Sequence, residues 1–215
     1  MVRDATNVLI GELVGTLEPV RPLTFGRGMA LTALATAVSV SAVAGLLGLR
    51  EELMAGQFSP VFLLSAGLFL LLGMAATVTV IVMSRPRVGS DHAGWMWAAA
   101  MTGLLPVSGA LVAAGRGVAT FSAEQTVHGL ECFACGIAAA LLVFGILTWW
   151  LRQGAPTSPE RAGLVTGIAA GSLGMFAFSL HCADNDIVHI GLWHSAVVLI
   201  MAALGRVTVP RLVRW

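Results

Sequence analysis

Charge is what this sequence lacks most. Of its 215 residues only 11% are Asp, Glu, Lys or Arg, where a soluble domain carries roughly 25%. Meanwhile 57% are hydrophobic and the mean hydropathy is +0.88. That deficit excludes a water-facing surface over most of the chain. Lysine is absent, so all twelve cations are arginine. A net charge of +1 carries no argument for nucleic acid, and no direct nucleic-acid contact is expected. The first 25 residues are mixed rather than apolar and show no cleavage pattern, which argues against a signal peptide. Nothing reads as a soluble domain or as a convincing short repeat. Cysteine is scarce at three residues, and its placement matters more than its number.

What is present are apolar runs. Crossing about 30 Å of hydrocarbon takes about 20 residues, and six runs qualify: 29–49, 61–83, 95–114, 135–151, 162–180 and 188–204. The fourth is the shortest and is expected to begin upstream, near His128. Apolar character runs nearly all round each segment, as in membrane helices rather than surface ones. Gly67, Gly73, Gly103, Gly109, Gly167, Gly171 and Gly174 are expected to be packing surfaces, because lipid supplies no hydrophobic force to drive helices together. The expected fold is all-α, a six-helix transmembrane bundle.

Arginine sets the orientation. Arg3, Arg21, Arg27, Arg85, Arg87, Arg152, Arg161, Arg206, Arg211 and Arg214 fall on the tails and on the second and fourth loops, against Arg50 and Arg116 on the other side. This asymmetry predicts a multi-pass protein with cytoplasmic termini, which in a bacterium sets the opposite loops in the periplasm. It divides the chain into a cytoplasmic tail over 1–24, a transmembrane domain over 25–205 and a second cytoplasmic tail over 206–215. The outer loops are then about 50–60, 115–131 and 181–187.

All three cysteines and four of the five histidines fall on that outer side; only His92 lies in an inner loop. His128, Cys132 and Cys135 share one helix face through offsets of four and three, and Cys132 with Cys135 forms a CxxC pair. The last outer loop adds Cys182, and the helix after it adds His189. Three chemistries fit. One is a soft-metal site built from Cys132, Cys135, Cys182, His128 and His189, suited to Zn²⁺ or to softer ions such as Cu(I) or Cd²⁺. Another is a disulfide, Cys132–Cys135 or Cys132–Cys182. The third is inert packing of buried thiols. His181, Asp184, Asp186, His194 and Glu131 are supporting groups or alternative ligands, since ionisable residues near a bilayer usually have a role. Trp95, Trp97, Trp193 and Trp215 fit interfacial anchors.

The amino-terminal stretch reads differently. Val8, Leu9, Leu13 and Leu17 recur near helical spacing, with Val2, Ile10 and Val14 beside them. Asp4 or Thr6 is placed to cap a short helix, and Pro19 and Pro22 lead extended chain into the membrane. A helix of this kind either lies on the inner leaflet or docks in a groove of a soluble partner. Its acidic lean favours the partner. Leu9, Leu13, Leu17, Val20, Arg21 and Leu23 are the expected contacts.

Several stretches resemble one known family. Leu17, Glu18, Pro19, Val20, Arg21, Pro22 and Leu23 come before the first span. Leu151, Arg152, Gln153, Gly154, Ala155 and Pro156 follow the fourth. Ala162–Gly163, Ala170–Gly171, Leu180–His181–Cys182, Trp193 and the closing Pro210, Arg211, Leu212, Val213, Arg214 and Trp215 complete the series. Taken in order, they resemble the six-helix membrane anti-sigma factors of the NrsF type, over essentially the whole chain. The resemblance implies a non-enzymatic regulator that holds an extracytoplasmic-function sigma factor at its cytoplasmic tail. It also implies that outer cysteines, here Cys132 and Cys182, take part in the response to heavy-metal or oxidative stress. Cys135 is an addition to that pattern, and His194 replaces an aromatic residue. Two rivals remain open at this point. One is a thiol–quinone oxidoreductase using the CxxC, which wants a second cysteine pair. The other is a metal transporter, which wants ionisable residues at mid-depth.

Overall fold

The structure is a computed structural model and describes residues 2–17, 23–86, 93–116 and 122–213. Ten α-helices are described: α1 (Val2–Gly15), α2 (Phe25–Leu46), α3 (Glu51–Met54), α4 (Pro60–Met83), α5 (Gly94–Thr102), α6 (Leu104–Gly115), α7 (Ala123–Gln153), α8 (Pro159–Ser179), α9 (Ile187–His189) and α10 (Ser195–Leu212). A π-helical turn, Ile190–His194, joins α9 to α10. Six helices are long and apolar enough to cross a membrane, counting 94–115 and 187–212 as one each. They agree with the six expected runs.

Local chemistry explains the boundaries. Gly48, at φ +85°, follows α2 in a left-handed conformation that favours glycine. Pro60 opens α4 and Pro159 opens α8 at first-turn positions, where a missing N–H costs nothing. Pro106 cannot donate to the Thr102 carbonyl, and the helix breaks between α5 and α6 at Gly103. The helix α1 already runs at Asp4 and Thr6, so neither is its cap. The last helix continues past 205, through Pro210, to Leu212. The largest departure is α7. A capping box, in which Ser122 and Gln125 bond each other's backbone N–H at 3.1 and 3.0 Å, starts it at Ala123. Its 31 residues span about 46 Å at 1.5 Å each, well beyond the hydrocarbon layer. The protruding part carries His128 and Cys132.

Helix α8 is the axis of the bundle, almost wholly buried and packed by α10, α7 and α4. Glycine makes this possible. A Cβ on Gly167 would collide with the Met201 carbonyl and stand 2.6 Å from the Ala202 Cα; one on Gly174 would stand 2.6 Å from the Ala140 Cα; one on Gly73 would meet Leu173 at 2.6 Å. Gly109 and Gly171 are in similar contact with Gly191 and Val198. Gly67 meets nothing and Gly103 only its own helix, so these two are not packing surfaces as expected. Because the Gly167 obstruction is backbone, Gly167→Leu should force α8 and α10 apart. The expected loss is about 1–3 kcal/mol or more, read as a lower melting point of the detergent-solubilised protein by circular dichroism.

The alternating helices give the bundle two ends. At one, Arg85 Nη2 donates to the Leu23 carbonyl at 3.3 Å, Ala155 N–H to the Ser84 carbonyl at 2.9 Å and Trp150 Nε1 to Ser84 Oγ at 3.1 Å. Arg161 lies 5.0 Å over Trp95 there. At the other end, Arg50 and Arg116 are both ion-paired, to Glu52 and Asp186, each at 2.7 Å. Helix α1 belongs to the arginine-rich end by connectivity. Residues 5–17 are all exposed, including Leu9 at 55% and Leu13 at 58%. Val20 and Arg21 lie outside the described residues, as does His92.

Candidate functional site

The arginine-poor end holds a thiol–imidazole cluster. His128 and Cys132 lie one turn apart on the projecting part of α7, with Cys132 Sγ 3.8 Å from His128 Nε2. Cys182 follows the end of α8, its N–H donating to the Phe178 carbonyl at 3.2 Å. Its sulfur lies 3.8 Å from Cys132 Sγ and 4.0 Å from His189 Nε2. One ligand atom from each of His128, Cys132, Cys182 and His189 falls within 4.8 Å of all the others. Bond lengths of 2.0–2.3 Å in a tetrahedral Cys₂His₂ site imply ligand separations of roughly 3.3–3.8 Å. A small contraction of this group is therefore enough to hold a soft or borderline metal ion. All three cysteines are free thiols, and the sulfurs of Cys132 and Cys182 are already in contact.

Cys135 does not join them. It is half-buried and one turn further along α7, about 4.5 Å down the helix axis and away from the loop that brings Cys182. The CxxC spacing places both sulfurs on one helix face but says nothing about depth. Glu131 is exposed and also lies outside the four.

The supporting groups sort by what they touch. Asp184 Oδ2 is 3.3 Å from His189 Nδ1, leaving Nε2 to face the sulfur, the carboxylate–histidine arrangement common behind metal ligands. Asp186 pairs with Arg116, and its N–H donates to Asp184 Oδ1 at 2.8 Å. His181 Nδ1 meets the Gly48 carbonyl at 3.0 Å and faces away from the cluster. His194 reaches it through the π-helical turn. Residues five apart would point about 140° apart on an α-helix, but i→i+5 winding brings them together. The rings of His189 and His194 are 5.1 Å apart, edge to face. His194 Nε2 is buried without a hydrogen-bond partner, between Phe69 and Phe178. His128 stacks on His189 at 5.1 Å.

Cys182 lies outside the spans, and its thiol is held below the usual cysteine range. Hydrogen bonding from Cys132 is the largest cause; burial opposes it, and the hydrogen bond with His189 adds to it. Cys182 should therefore go on reacting with a small alkylating reagent as pH falls below the ordinary thiol value of about 8.5. Cys132→Ala should move that profile upward, measured by mass spectrometry of the labelled protein.

Sequence reasoning missed Arg50, Glu52 and Asn185, which surround the Cys182 loop. The available signal was an arginine standing on the arginine-poor side. Trp193 packs its indole on Gly129 of α7, where a Cβ would collide with it.

A family model described as "NrsF: Negative regulator of sigma F" matches residues 13–215. The chain is 29% identical over 216 residues to "Anti-sigma-F factor NrsF" of Caulobacter vibrioides (strain NA1000 / CB15N), covering 99% of this chain and 98% of that protein. It is 28% identical over 176 residues to "Probable anti-sigma-F factor NrsF" of Azospira oryzae (strain ATCC BAA-33 / DSM 13638 / PS), covering 79% and 80%. No solved structure matches it.

Proposed function

This chain belongs to the NrsF family of negative regulators of sigma F, and from that premise we propose that it is a multi-pass anti-sigma factor of the bacterial inner membrane. Residues 1–24 hold an extracytoplasmic-function sigma factor on the cytoplasmic side. The thiol–imidazole cluster receives a heavy-metal or redox signal in the periplasm. Two features support the reading. Arginine bias orients the termini inward, and an exposed apolar helix stands at the opposite end of the bundle from the cluster. The observation that carries it is the makeup of that cluster, whose ligands come from the start of α7, the end of α8 and α9, so one ion ties three helices together and a Cys132–Cys182 disulfide ties two. These helices build the core and return to the arginine-rich end. Glycine lines their contacts and lets the backbones approach closely.

A signal can shift such a bundle only by its differential affinity for two packings. A soft ion such as Zn²⁺ or Cd²⁺, or a Cys132–Cys182 disulfide, favours the contracted arrangement, and the tail is released in that state. The regulator is not an enzyme.

The test is co-purification of the full-length protein in detergent with co-expressed sigma factors, with and without added Cd²⁺. Retention without the ion and release with it support the proposal. Retention of no sigma factor rejects it, and retention unchanged by Cd²⁺ rejects the sensing half. Labelling intact cells that carry Glu124→Cys with an impermeant thiol reagent checks sidedness, since the outer placement requires that a thiol at this exposed position be reached.

A further inference from the structure

We propose that Arg50 is the positioning residue that aims Cys182 at Cys132. The proposal rests on the sensing role given above to the same site. From 181 to 186 the chain is a loop whose odd- and even-numbered residues meet different neighbours. On one side His181, Ala183 and Asn185 meet the segment between α2 and α3; on the other Cys182 and Asp184 meet Cys132 and His189. Arg50 makes most of the first set of contacts. Its N–H donates to the Leu180 carbonyl at 3.0 Å. Its Nη2 donates to Asn185 Oδ1 at 2.9 Å, to Glu52 Oε2 at 2.7 Å and to the Ala183 carbonyl at 3.4 Å. Asn185 Nδ2 closes the ring on Glu52 Oε1 at 3.4 Å. The guanidinium lies 4.5 Å over the Phe62 ring, and its side chain is only 2% exposed. Membrane proteins keep few arginines on this side; here a buried one holds the odd-numbered face of the loop, and the even-numbered face is left to the site.

The experiment uses the full-length protein in detergent, carrying Cys135→Ser so that two thiols remain. Diamide takes two electrons and two protons as the Cys132–Cys182 bond forms, and the rate is read on non-reducing gels. Disulfide closure is sensitive to sulfur placement, so Arg50→Gln should slow it about tenfold or more. Arg50→Lys should recover much of the rate, because all three side-chain hydrogen bonds converge on a single nitrogen and an ammonium has three donors. A folded Arg50→Gln protein that closes within about twofold of its parent would overturn the proposal. So would an Arg50→Lys protein that retains its melting point but is as slow as Arg50→Gln. If Arg50→Gln does not fold, Asn185→Ala decides: slowed closure supports the proposal and unchanged closure rejects it. A parent protein that binds no Cd²⁺ would remove the metal reading and still leave the closure rates to judge Arg50.

Discussion

Replacing Cys132 or Cys182 by Ser in the full-length protein is expected to weaken Cd²⁺ binding by at least about 100-fold. Groups behind metal ligands are already worth 10–100-fold, and a thiolate ligand should exceed them. The same variants should no longer release sigma factor, or raise sigma-dependent transcription, on cadmium exposure. Both sulfurs belong to the one group of four ligands, and a hydroxyl is a poor partner for a soft ion. Cys135→Ser is the internal control, since that thiol lies outside the group and should leave binding near its parent value. An undiminished cadmium response in both the Cys132 and Cys182 variants would place sensing elsewhere.

The second large effect concerns the tail. Leu9→Glu and Leu13→Glu should each weaken sigma-factor binding about 30-fold, the ratio for roughly 2 kcal/mol at an interface hot spot. Neither should lower the melting point of the bundle, because both side chains are more than half exposed. Affinity is measurable by titrating purified sigma factor onto the detergent-solubilised protein. Unchanged affinity would favour the alternative fate of this helix, with its apolar side on the inner leaflet.

Hydropathy alone located all six spans because lipid acts on each segment independently; the tail's apolar spacing was likewise visible, and α1 covers it through Val14 but ends before Leu17. Boundaries were harder wherever hydrogen bonding rather than hydropathy decided. At α7, Glu124, Gln125, His128 and Glu131 look too polar for a span, yet the Ser122–Gln125 box carries the helix through them. Glycine was read too generously, since spacing cannot show whether a neighbour is present: Gly167 meets Met201, while Gly67 meets nothing.

The sequence by itself determined that this is a membrane chain, that its thiols and imidazoles gather opposite its arginines, and which family it resembles. These are properties of composition and order along the chain, and solvent reads them segment by segment. Only tertiary structure decided which side chains meet. Cys132 and Cys182 are 50 residues apart and touch because the buried helix α8 delivers one to the projecting turn that carries the other. His194 approaches because of a π-helical turn that no residue pattern announces, and Arg50 meets Ala183 across 133 residues of sequence. Each of these depends on long-range packing, where energies too small to see in any one residue add up to a single arrangement.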